Sequence, residues 1–493
     1  MGLPCSDWVN HYRNSISDVL TNLWTSTTMN LLTEQIQAVD SFIWQPFVMP
    51  LVLVVVGGLI TLVTGFVQIR RFPIAVRLAL QGAFTRDIDA NDGTGTITQF
   101  QALSTALAST VGNGNIGGVA TAILIGGPGA IFWMWITAAV GMATKYAEAV
   151  LGVHYRVTRE TGELASGPMY YITQGIPNKL IGRILSYLFA FFGACAALFG
   201  TGNMAQSNTI ARTFAEAARS LVGIDVPLWF PGILITTAVG LVLVGGIRRI
   251  ASVAERLVPA MIVLYVFAAG LFIILNLTQV PDVLILIVSN ALDPAAAVGG
   301  FAGASVAQVI AAGVSRGVLS NEAGMGSAPI AHGIAKVTHP TEQGVIGIFE
   351  VFIDTIVICT MTAFVILTSG LWTEAAYQGA SGDLTAAALS TSVPLASLVV
   401  ALCSFLFGFS TLIGWSYYGE KCVEFMFGSQ VIRPYRILFT AMILIGSIVS
   451  VPLVWAIGTL LNGFMAFPNL IAIVFLVGTV RKLNASYTDN RSK

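Results

Sequence analysis

The chain has 493 residues, 55% hydrophobic and 10% charged, with 24 Lys and Arg against 24 Asp and Glu. Soluble domains carry about 25% charged residues, so the composition excludes an ordinary soluble fold, and a net charge of zero gives no electrostatic basis for a nucleic-acid partner. Uncharged runs of ~20 residues, long enough to cross a bilayer as helices, recur along the chain and predict an all-α polytopic membrane protein.

In chain order, residues 1–45 are polar with apolar positions at roughly helical spacing, and predict an extracytoplasmic extension that forms surface helix. Residues 46–70 hold one extra transmembrane helix, at about 48–68. Five spans follow within 88–280, at 97–124, 130–152, 184–210, 228–246 and 257–276. Five more lie within 294–480, at 298–318, 345–370, 393–419, 434–450 and 452–479, and residues 481–493 form a tail. Two long runs are divided by "GGPGA" (126–130) and "SVP" (450–452). The total is eleven spans.

Lys and Arg accumulate on the cytoplasmic side of a membrane protein. With the N-terminus outside, 21 of the 24 basic residues fall on inward-facing segments, Lys145 and Arg316 among them, and the C-terminus is cytoplasmic. This predicts a multi-pass protein of the cell (inner) membrane in contact with the lipid bilayer. The five cysteines are scattered and show neither a disulfide framework nor metal-ligand spacing.

The second span contains "STVGNGNIGGVATA", in which four of the seven residues from Gly112 to Gly118 are glycine and two are asparagine. Glycine costs a helix about 1 kcal/mol relative to alanine. The seventh span leads into "GVLSNEAGMGSAPIAHG", so Gly112-Asn113-Gly114 and Gly324-Met325-Gly326 share the form G-x-G. Each break is followed by four further spans. Two sets of five, entering the membrane from opposite sides, form an inverted repeat. Non-helical backbone at membrane depth survives only where protein or a polar cavity covers it. The two breaks are therefore expected to meet near the midplane. There, freed N–H groups favour a carboxylate and freed carbonyls favour a cation.

Asn113 and Asn115 are ligand candidates at the first break. Ser109, Thr110 and the carbonyls of Ala108 and Val111 end its first half-helix and offer the uncharged oxygens that suit sodium. Glu322 has two readings: contact with a substrate amine or cation, or a cap on freed backbone N–H groups. Ser320 flanks it and joins the sodium candidates, and Met325 joins the substrate-binding ones. Asp354 is a carboxylate well inside the eighth span, where ionisable groups mark ion or proton pathways. Asn203 and Gln206, at i and i+3, share a helix face. Ser410 and Thr411 place hydroxyls in a long apolar run, with Trp415 one turn beyond as the wall of a small cavity. Lys145 and Glu148 are read as an i, i+3 pair near the inner face.

"GGPGAIFWMWITAAVG" (126–141), "SNEAGMGSAPIA", "FIDTIVICT" and "GWSYYGEKC" together resemble the sodium:alanine symporter family, over about residues 45–480. The resemblance implies a LeuT-type fold of five plus five inverted spans, here with one extra helix before them. It implies sodium-dependent import of alanine, glycine or a related small neutral amino acid. By the same match Gly112, Asn113, Gly114 and Asn115 lie on the substrate, with Gln206 and Trp415 at substrate-contacting positions. Thr110 and Asn115 approach a sodium linked to the substrate carboxylate. The Ala108 and Val111 carbonyls with Ser410 and Thr411 form another sodium site. The family's break usually reads "GTGNIAG", so Asn113 stands in place of a threonine.

The expectation is a sodium-coupled symporter, functional as a monomer, that performs no covalent chemistry. Its rivals are a proton-coupled transporter using Asp354 or Glu322 and, in another class, a channel or a transporter-like sensor.

Overall fold

The computed structural model describes residues 27–84, 94–159, 162–293, 305–377, 381–449 and 451–487. Much of the predicted extracytoplasmic extension and part of the tail lie outside these. The architecture is helical apart from one two-stranded ladder, Val157–Thr158 with Leu164–Ala165. Among the described residues six helices are long and apolar enough to cross a membrane: Lys179–Arg219, Gly246–Leu275, Pro340–Ser369, Ala396–Phe427, Ser429–Ile448 and Leu453–Ser486. Met49–Val63 and Trp229–Leu243 are shorter apolar helices. Large apolar side chains such as Val263, Phe267 and Phe475 point outward, as lipid-facing positions do.

The second predicted span divides into Gln99–Thr110 and Gly114–Gly126, while the seventh, expected at 298–318, runs as Val306–Asn321 and is followed past a break by the short helix Pro329–His332. Both open with the same device. Thr98 accepts from the Gln101 N–H while the Gln101 side chain accepts from the Thr98 N–H, and Ser305 and Gln308 repeat the arrangement. Such a capping box satisfies two of the donors left free at a helix start.

The two broken spans run antiparallel. Residues just before the first pair with residues just after the second: Thr94 bridges Val337 and Ile97 bridges Ala335. The Thr96 N–H donates to Ile334 O and the Lys336 N–H to Ile97 O, each at 2.8 Å. At the opposite end Gly126 lies so close to Ala312 that a Cβ on it would stand 2.8 Å from the Ala312 Cβ. Both helices are thus in register along their length, with the interruptions at the same level.

A third interruption lies inside the predicted span 184–210. Helix Lys179–Phe199 stops, Gly200–Asn203 form turns, and helix Met204–Val222 resumes. Two cations counted as inward-facing belong elsewhere. Arg316 sits within helix Val306–Asn321, and Lys145 is fully buried in helix Gly129–His154. Charge counting grouped them with the inward-facing segments, although both fall inside the predicted spans 130–152 and 298–318, because it does not see burial.

Candidate functional site

At the first break the helix ends at Thr110 and Val111 turns extended, with ψ 91°. In an unbroken helix the Gly112 N–H would go to Ala108 O and the Asn113 N–H to Ser109 O. Here the Gly112 N–H goes to Asn115 Oδ1 (2.9 Å) and the Asn113 N–H to Gln206 Oε1 (3.3 Å). The two diversions free the carbonyls of Ala108 and Ser109 from the ladder. Glycine at 112 serves close approach, because a Cβ there would stand 2.6 Å from Thr411 Oγ1. The chain resumes as π-helix over Gly114–Gly118, a form that recurs at functional sites.

The second break uses glycine differently. Gly324 and Gly326 have φ of +91° and +82°, a region closed to most side chains. Glu322 also adopts a left-handed conformation, φ +56°. Its carboxylate does not cap the freed N–H groups. Oε1 accepts from Trp415 Nε1 (2.8 Å), and Oε2 accepts from Ser327 Oγ at close range. The capping falls to others. Asn321 Oδ1 takes the Ala323 N–H (3.0 Å), and Glu148 Oε1 takes the Gly326 N–H (3.0 Å). Asn469 Nδ2 holds both Glu148 Oε1 (2.6 Å) and Gly324 O (2.8 Å). Glu148 therefore serves the break and is not the partner of Lys145. That lysine pairs with Glu350 Oε1 (3.1 Å), whose Oε2 meets His332 Nε2 (2.8 Å).

Three spans converge on Asp354, which lies in the π-helical segment Phe352–Cys359. Oδ1 accepts from Asn115 Nδ2 (2.7 Å), and Oδ2 from Ser320 Oγ (2.8 Å) and Thr355 Oγ1 (2.8 Å). Asn115, Ser320 and Asp354 are all fully or nearly fully buried. A carboxylate surrounded by neutral donors in a low-dielectric setting keeps strong affinity for a cation.

Ser410 and Thr411 both return a hydrogen bond to Phe407 O, at 2.8 and 3.0 Å. Thr411 reaches the first break at Gly112, and Gly414 packs on Ser109. Gln206, in the first turn after the third interruption, ties that interruption to the first break, since its Oε1 also accepts from Asn113 Nδ2 (3.0 Å).

A narrow cavity, open at its mouth, lies between these elements. Its walls are Ser109, Thr110, Gly112 and Gly114 of the first broken span, and Arg316, Ser320 and Glu322 of the second. Thr201, Gln206, Thr411 and Trp415 close it. Of the predicted residues, Gly112, Gly114, Thr110, Ser320, Gln206, Thr411 and Trp415 thus line one space. Asn113, Asn115, Asp354 and Ser410 stand behind that wall, and Ala108, Val111 and Met325 are buried in the apolar core. Thr201 and Arg316 line the site, and Glu148 caps its second break, although the sequence reading gave none of them a site role. Thr201 carries a local signal, the G-T-G-N run from Gly200 to Asn203, which matches the pattern of a break.

The model of the sodium:alanine symporter family matches residues 29–493. The chain is 44% identical to the sodium/alanine symporter AgcS of Methanococcus maripaludis, over 92% of this chain and 97% of that protein. It is 40% identical to the probable sodium/glutamine symporter GlnT of Bacillus subtilis, over 86% and 84%. Among solved structures it shares the fold of MhsT in complex with L-phenylalanine, with a TM-score of 0.57 and 14% identity over 81% of this chain and 94% of that one. The protein is a polytopic membrane transporter, not an enzyme, and the chain belongs to the sodium:alanine symporter family.

Proposed function

We propose that the protein carries out sodium-coupled uptake of a small neutral amino acid, such as alanine or glycine, by alternating access. The observation that carries this reading is the meeting of two antiparallel broken helices at one buried polar cavity, with the Asp354 carboxylate directly behind it. The substrate carboxylate sits against Gly112 and Gly114 at the cavity wall, with Asn113 and Asn115 holding that backbone from behind, near the start of the resumed helix, where the dipole favours an anion. Gln206 and Trp415, which line the cavity, bound its side-chain end, with Met325 in the core behind them. One sodium sits among Thr110, Asn115, Ser320 and Asp354 beside that carboxylate. The Ala108 and Val111 carbonyls with Ser410 and Thr411 hold sodium on the other flank of the break.

Coupling follows from shared neutralisation. Sodium cancels the charge of Asp354 and of the substrate carboxylate and orders the unwound backbone, so each ligand lowers the cost of binding the other. The remainder of the reading is eleven spans in a 5+5 inverted repeat with one extra helix. The N-terminus is outside, the C-terminus cytoplasmic, and the protein acts as a monomer in the cell membrane.

The test is uptake of labelled alanine by proteoliposomes under an imposed sodium gradient. Uptake driven by sodium and absent in potassium supports the reading; equal uptake with potassium or with a proton gradient alone defeats it. A proton-coupled reading draws on one observation, that every hydrogen-bond donor to Asp354 is neutral, so a proton also serves as its countercharge.

A further inference from the structure

Gly245 and Gly246 carry the chain from helix Trp229–Leu243 into helix Gly246–Leu275. Helix Ile432–Ile448 lies antiparallel to the first of these, with Ser447 against Gly232, Thr440 against Gly240 and Arg436 against Gly246. The turn therefore sits at one edge of the apolar zone. Leu241, Val244 and Ile437 beside it are large, exposed and apolar, as positions in contact with lipid chains are.

Arginines crowd this turn. A Cβ at Gly246, whose φ is +60°, would stand 3.2 Å from Arg436 Nη2, and a Cβ at Gly245 would stand 2.5 Å from Arg249 Cδ. Two cationic side chains thus lie against adjacent residues that have no side chain of their own. Arg248 directly precedes Arg249, and Arg433 stands three residues before Arg436 on the same helix face. Arg248, Arg249 and Arg433 are exposed. Among the described residues none of these three has a carboxylate within ion-pair distance. The acid that does reach the group is Glu420, and it is engaged twice: it accepts from Arg436 Nε at 2.6 Å and lies 3.9 Å from Lys421 Nζ.

Like charges gathered without a counter-ion repel one another, so this arrangement calls for an anion. The guanidinium fork matches phosphate oxygens two at a time. At this depth, beside lipid-facing side chains, the phosphate at hand is that of a phospholipid headgroup. We propose that the turn binds an anionic phospholipid, with Arg248, Arg249 and Arg433 on its phosphate and Leu241, Val244 and Ile437 along its acyl chains. Basic residues scattered over helix ends attract anionic lipid to the whole boundary; convergence on one bare turn makes a site. The proposal is independent of what the central cavity carries.

The experiment titrates phosphatidylglycerol onto the full chain in detergent and counts bound lipid by native mass spectrometry. Phosphatidylcholine is the zwitterionic arm and inorganic phosphate the soluble one. Each arginine near an anionic headgroup contributes about fivefold in affinity. Phosphatidylglycerol is expected to bind at least about tenfold tighter than phosphatidylcholine. The triple variant Arg248→Gln, Arg249→Gln, Arg433→Gln should bring the two lipids within about twofold. Lys179→Gln with Arg183→Gln, an exposed basic pair on another helix, should leave the preference unchanged. Wild-type protein that binds both lipids alike overturns the proposal. So does an equal loss in the control pair, which would assign the affinity to the basic surface as a whole, and so does displacement of the lipid by inorganic phosphate, which would assign the turn to a free anion. If the triple variant fails to fold, Arg433→Gln alone is expected to lower phosphatidylglycerol affinity about fivefold, and an unchanged affinity there overturns the proposal equally.

Discussion

Asn115 Nδ2 lies 2.7 Å from Asp354 Oδ1, so a side chain of the first break is held by the acid of another span. The same Asn115 holds the Gly112 N–H through its Oδ1. The unwound backbone and the buried carboxylate are therefore joined through a single amide, and a change at one is felt at the other.

Asp354→Asn keeps the shape of this junction and removes its charge. Hydrogen bonds to charged groups contribute about 1.5–3 kcal/mol, which corresponds to roughly a 10- to 150-fold change. The sodium concentration for half-maximal alanine uptake should rise by at least tenfold. Sodium activation curves in proteoliposomes read this directly, and an unchanged curve would remove Asp354 from the ion pathway.

Thr411→Ala removes the hydroxyl that abuts Gly112. The sodium requirement should rise by about five- to tenfold, an oxygen ligand being worth about 1 kcal/mol or a little more. Alanine affinity at saturating sodium should move by less than about twofold. If sodium activation stays put while alanine affinity falls, Thr411 belongs to the substrate and not the ion.

Gly202→Ala tests the wall opposite the breaks. A Cβ at this position would stand 2.6 Å from atoms of the Trp415 ring, with no flexible side-chain end to yield. The ring must tilt, and its Nε1 bond to Glu322 must stretch. Alanine transport should drop by more than about tenfold, since an ångström-scale misplacement costs that much or more. Trp415→Phe in the same chain should recover part of it. Full activity of Gly202→Ala would show that the ring has room to move.

Lys145, Glu350 and His332 form a buried cluster with no solvent to replace a lost partner. Removing one member of a buried ion pair costs about 3–5 kcal/mol, whereas replacing the pair with neutral groups is closer to even. Glu350→Gln should lower the unfolding temperature in detergent markedly, and adding Lys145→Met should restore much of it. Single and double variants of equal stability would mean that the cluster is not a structural tie.

The interruptions near Gly112 and Gly324 are legible because clustered glycines weaken a helix in a run where lipid otherwise demands one. Hydropathy likewise marks the six long apolar helices among the described residues, although Gly246–Leu275 begins well before the predicted 257. Glu148 is different. Its bonds to Gly326 and Asn469 join positions far apart in sequence, and nothing local distinguishes a cap from a surface i, i+3 pair with Lys145. Glu322, two residues before the glycines, carries the expected local signal for a cap and yet turns to Trp415 and Ser327. Arg316 resembles an interfacial cation because a single basic residue at the end of an apolar run reads the same whether it meets water or lines a cavity. The T-x-x-Q and S-x-x-Q starts at Thr98 and Ser305 are local signals that hydropathy averaging passes over.

The clasp at residues 94–97 and 334–337 bears on how the molecule opens. Arg156 secures it, donating from Nη1 to Gly333 O and Ala335 O and from Nη2 to Thr94 Oγ1. Gly95 lies so near the Lys336 backbone that no side chain fits between. A ligand exit on that face has two routes: unzip the strap, or swing both half-helices about a common pivot. The second breaks no backbone bonds, so the paired ends travel as one rigid lever, and a tug on either is transmitted to its twin.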